Sequence, residues 1–135
     1  MAHDYLGNPV SSADPAALAA VDDFVRGFLR YEPTLDSVAT VAGGAPQEVL
    51  ANVYAGMLNM LLEAPEAPAN ARRFLEAAEV APGANDREAR LTAHLRAWVD
   101  GDIPRALQVT AALASDYPRD LAAVKLHQYH AFNLG

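Results

Sequence analysis

The chain has 135 residues, 52% of them hydrophobic, which is enough for one domain with a real core and too few for two ordinary ones. Seventeen acidic residues against ten scattered basic ones give a formal charge of −7, which excludes a basic surface for nucleic acid or anionic membrane. With no cysteine, disulfides, thiolate metal sites and thiol nucleophiles are all excluded, and the composition fits a reducing compartment.

Along the chain, residues 1–10 read as a loose tail or a strap, ahead of a single domain over residues 11–135. The start carries no basic region followed by an apolar core, and no apolar run approaches the ~20 residues of a membrane span, so a cytoplasmic location is expected. Ser11 to Asp14, followed by Pro15, open a first helix. Its apolar face is Leu18, Val21, Phe24, Val25 and Phe28, and its polar face carries Asp22, Asp23, Arg26 and Arg30. It stops before Pro33. A short helix over about 34–42 ends at Gly43-Gly44, and Pro46 opens another to about residue 63 with Leu50, Val53, Tyr54, Met57 and Leu61 inward. A fourth helix spans about 68–80.

The punctuation is clearest after Asp86. Leu91, His94, Leu95 and Trp98 recur at helical spacing until Gly101 stops the run. Asp102 and Pro104 start the next helix, which Pro118 terminates, and Asp120 caps a last helix over 121–134 with Gly135 as its stop signal. No alternating strand pattern of useful length appears, so the expected fold is all-α: a right-handed, tetratricopeptide-like array of about seven antiparallel helices, the last repeat incomplete. On that template Gly101-Asp102 is the turn, Ala106 the small crossing residue and Pro118 the terminal proline. Pro82 precedes Pro118 by 118 − 82 = 36 residues, and on this register Asn70, Phe74 and Ala77 match Ala106, Thr110 and Leu113.

The segment running from Arg87-Glu88 through Gly101-Asp102-Ile103-Pro104-Arg105-Ala106, Leu113, Asp116-Tyr117-Pro118-Arg119-Asp120, Ala123 and Lys125 to Phe132-Asn133-Leu134-Gly135 resembles the amino-terminal part of the tetratricopeptide repeat protein 38 family. The likeness is loose before Arg87. It implies a helical-repeat protein, in a family whose members carry further repeats after the position of Gly135. That family tends to have histidine where this chain has Asn52 and Gln128, so a role resting on those histidines does not transfer.

Three groups of residues are candidate sites. The concave face of such an array would present Asn52, Asn59, Glu63, Trp98, Lys125, Tyr129, Phe132 and Asn133, with amides and Lys125 for a peptide backbone or carboxylate and the aromatics as anchors. The exposed side of the last helix would present Val124, Gln128, Ala131 and Leu134 for self-association as a dimer. His94, His127 and His130 are the one cluster with chemical potential, as zinc ligands or proton shuttles, but they read first as inter-helix packing or hydrogen-bonding residues. Asp22-Asp23 and Asp86 with Glu88 read as solvated surface. No phosphate loop, serine-nucleophile motif or metalloprotease spacing occurs, and no catalytic residue or cofactor is assigned. The expectation is a non-catalytic module that binds a protein or peptide or associates through its last helix. The alternatives are a histidine-based enzyme or metal site, and the amino-terminal piece of a longer repeat protein.

Overall fold

The computed structural model describes residues 2–134, so the stop expected at Gly135 lies outside the described residues. The described residues form seven α-helices and one two-stranded sheet. The helices are α1 (Pro15–Arg30), α2 (Ser37–Gly43), α3 (Val49–Leu61), α4 (Ala67–Val80), α5 (Asp86–Val99), α6 (Ile103–Asp116) and α7 (Leu121–Leu134), with a 3-10 turn at Pro33–Asp36 between α1 and α2. The chain is all-α, as its periodicity predicts.

Local chemistry starts α1, α5 and α6 close to where the sequence places them, whereas α3 begins at Val49, after a turn at Pro46. The Asp14 carboxylate accepts from the Ala17 amide ahead of α1, and Asp102 does the same for Arg105 at α6. At α5 the Asn85 side chain and Glu88 cap each other's backbone amides reciprocally. Short connectors then bring successive helices together, α3 on α4, α4 on α5, α5 on α6 and α6 on α7, while α3 also touches α5. Gly56 is why α3 and α5 come so close, since a Cβ there would lie 2.5 Å from the Leu95 side chain.

The expected 36-residue matching of α4 to α6 is kept only in part: Phe74, matched to Thr110, is buried. Asn70, matched to Ala106, is exposed, and its neighbour Ala71 is fully buried. Ala71, Leu75 and Ala78 are the buried partners of Ala106, Thr110 and Leu113, at 106 − 71 = 110 − 75 = 113 − 78 = 35 residues. The two helices nevertheless start 103 − 67 = 36 residues apart. Caps fix where a helix begins, but packing decides which face turns inward.

Residues 2–10 are a strap. Ala2–His3 (β1) pairs antiparallel with Pro9–Val10 (β2), and between them Asp4 Oδ1 accepts from the amides of Leu6 and Asn8 at 3.0 and 2.9 Å. The hairpin docks through Arg87, whose fully buried guanidinium donates to the Pro9 carbonyl (2.8 Å) and to Asp120 (3.0 Å), with Asp4 at 3.8 Å. Glu88 is buried as well, contrary to its reading as solvated surface. One carboxylate oxygen completes the α5 cap and the other accepts from the Ser11 amide at 3.0 Å. Asp86, by contrast, is exposed and accepts from the Tyr117 hydroxyl at 2.7 Å.

Candidate functional site

Helix α1 packs on α3 and α7, and its Phe24 ring stacks on Tyr54 of α3 at 4.6 Å. Two of the expected concave-face residues are core. Asn52 is fully buried, its amide donating to the carbonyls of Ala45 and Glu48 at 3.0 and 2.8 Å, and it holds the entry of α3 rather than a ligand. Trp98 is buried between His130 and Tyr129, whose rings meet it edge-on at 4.7 and 5.6 Å. Asn59 is half-buried on the opposite side, beside Asn70 and Arg73, with its amide returned to the Ala55 carbonyl.

The remaining members gather at a groove where the C-terminal ends of α1, α3 and α7 converge. Its volume is about 820 Å³. The α1 wall is Gly27, Phe28, Tyr31 and Glu32; Pro33 and Leu35 of the 3-10 turn and Leu61 of α3 form the floor, and α7 contributes Lys125, Gln128, Tyr129 and Phe132. Phe132 is 85% exposed and Tyr31 86%, unusual for such rings on a monomer's surface. Lys125 does not reach Glu63 or Glu88. Its ammonium donates to the Phe28 carbonyl and lies over the Phe28 and Tyr31 rings, 4.5 and 3.9 Å from their centroids. That placement caps the last turn of α1 with a positive charge, where the helix dipole favours it.

Two residues next to the groove have left-handed backbones without being glycine: Tyr31 (φ 58°) and Glu63 (φ 56°). Tyr31 closes α1 in the position usually given to glycine, its amide donating to the Gly27 carbonyl. Glu63, exposed just after α3, accepts from the Tyr129 hydroxyl. Burial and that hydrogen bond raise the Tyr129 phenol to about 12, so it stays a donor at neutral pH. Asn133, exposed in the last turn of α7, lies beside the same hydroxyl.

Of the self-association set, Gln128 belongs to the groove wall, Ala131 and Leu134 are exposed and Val124 is half-buried. The three histidines do not converge. His94 and His130 are a sealed pair, Nε2 to Nε2 at 2.8 Å, while His127 turns toward α6 and bonds Thr110 Oγ1 through Nδ1 at 2.9 Å. Among the described residues no group of three or more metal-ligating side chains is arranged to hold an ion. One ring of the pair must donate and the other accept through Nε2, so the two cannot both be charged. Burial first, then the His130 ring, holds His94 down at about 3, and burial first, then the His127 ring, holds His130 at about 4.

Sequence reasoning missed Phe28, Tyr31, Pro33, Leu35 and Leu61 because the groove is made by α1 folding back on α7, a contact between residues about a hundred positions apart. One signal was present: Tyr31 stands just before Glu32-Pro33, where a helix end calls for glycine or asparagine. No family model matches the chain, and neither the curated proteins nor the solved structures give a match. Among the described residues, no helix is long and apolar enough to cross a membrane.

Proposed function

We propose that this chain is a non-catalytic protein-interaction module of tetratricopeptide type, related to the repeat protein 38 family it resembles, and that its working surface is the α1–α7 groove. The observation that carries the reading is the groove itself: about 820 Å³, bounded by Phe28, Tyr31, Tyr129 and Phe132, with two of the four rings almost fully in solvent. Exposed aromatics around a shallow apolar cleft are the usual anchors for a protein segment. Chemistry has no comparable support, since the two paired histidines are sealed from solvent and the third is engaged with Thr110. The same reading keeps the cysteine-free chain in the cytoplasm.

Peptide selection on the purified protein tests this reading, with Trp98 as reporter because it is the one tryptophan and rests against Tyr129 of the groove wall. Selected apolar peptides should titrate Trp98 emission with micromolar affinity, and Phe132→Asp should weaken them at least about tenfold, the ~1.4 kcal/mol of one lost anchor. Peptides indifferent to Phe132→Asp, or no selectable binder, would refute the groove as the working surface.

A further inference from the structure

We infer that the groove's occupant is a second copy of this chain, docked α7 against α7 about a two-fold axis. The inference rests on the groove being an interaction surface and adds what fills it. Its first support is the charge distribution. In a chain with seventeen carboxylates, α3 and α7 are the only described helices of eight residues or more with no acidic side chain. Helix α3 carries none because the domain buries it on nearly every side. Helix α7 is composed in the same way, yet Phe132, Leu134 (57%) and Leu121 (45%) stand in solvent together with Gln128 and Ala131. Two copies with a charge of −7 repel each other over most of their surface, and the exposed side of α7 is where that repulsion is weakest.

The second support is continuity. Gln128 and Phe132 belong both to the exposed side of α7 and to the groove wall, so the groove and the helix face form one apolar surface. A surface that contains its own insert is self-complementary, as a two-fold interface requires. An axis near Gln128 places Phe132 of each copy over the Phe28, Tyr31 and Lys125 surface of the other.

Sedimentation velocity from about 2 to about 200 μM, bracketing a micromolar Kd, reads the result directly. Wild-type protein should move to twice its 14.4 kDa chain mass across that range. Phe132→Asp and, separately, Ala131→Glu should each raise the dimer dissociation constant at least tenfold, with helical circular dichroism unchanged because both side chains are exposed. Ala131 is on the helix face and off the groove wall, so Ala131→Glu should still bind the selected peptides. A wild-type monomer throughout, or a dimer that both variants leave intact, overturns the inference. If that monomer still binds peptides through Phe132, the groove reading survives alone; if it binds none, both fail.

Discussion

Arg87 shows most plainly how single residues hold this molecule together. Its guanidinium is fully buried, and burial opposes its charge, but Tyr54, Asp120 and Asp4 around it outweigh that effect and keep it protonated. Removing one partner of such a network leaves uncompensated charge in the interior, so Arg87→Ala should lower stability by about 3–5 kcal/mol in urea unfolding and release the strap. The His94–His130 pair predicts a pH response. Both pKa values are depressed, so an unfolded chain takes up protons near pH 6.5 that the folded protein refuses until about 4 for His130 and about 3 for His94. The pair's contribution is fully present above about pH 6.5 and is lost as the pH falls toward 4. The melting temperature should therefore drop over that interval, and the double variant His94→Leu/His130→Leu should flatten the slope. Tyr31 tests whether a residue serves the surface or the fold. Its left-handed backbone costs roughly 1–2 kcal/mol that glycine would not, so Tyr31→Gly should melt no lower than wild type while losing affinity in the groove.

At the scale of elements, helix existence was legible because its signals are local. Caps at Asp14 and Asp102, prolines at Pro15 and Pro104 and the glycine stop at Gly101 act within a turn of where they stand, whereas the Asn85 cap of α5 was read as loop. The inward face of α4 was not legible, since Asn70 and Ala71 are both acceptable to a helix and only packing against α3 and α5 turns Ala71 inward. The strap was half-legible: Asp4, Gly7 and Asn8 are turn residues, but nothing in residues 1–10 shows that they find Arg87 nearly eighty positions later. Gly27 sets the angle at which the 3-10 turn crosses α1. A Cβ there would lie 2.7 Å from Leu35 N and 2.8 Å from the Glu32 carbonyl oxygen, both backbone atoms. Gly27→Ala should thus cost at least about 1–3 kcal/mol in thermal or urea unfolding and distort the groove floor. Gly56→Ala meets only the flexible end of Leu95 and should cost less.

For the whole molecule, the decisive event is that α1 folds back onto α7. Asn52 and Trp98, expected on an open face, are core, and the contact between α1 and α7 makes a different surface, where Lys125, Tyr129 and Phe132 meet Phe28 and Tyr31. Spacing along the chain placed the α7 residues correctly on one helix. It carried no information about their partners on α1, because no periodicity links residues so far apart. The account's central claim is that this groove is where a protein segment docks. Amide chemical shifts of labelled protein, followed while a selected peptide is added to the monomeric Ala131→Glu variant, test it most directly. The account predicts that the largest changes map to residues 27–35, Leu61 and residues 125–132, with the strap and α6 unmoved. Changes centred on the strap, on the polar hollow around Asn70 and Arg73, or spread evenly over the chain would contradict it.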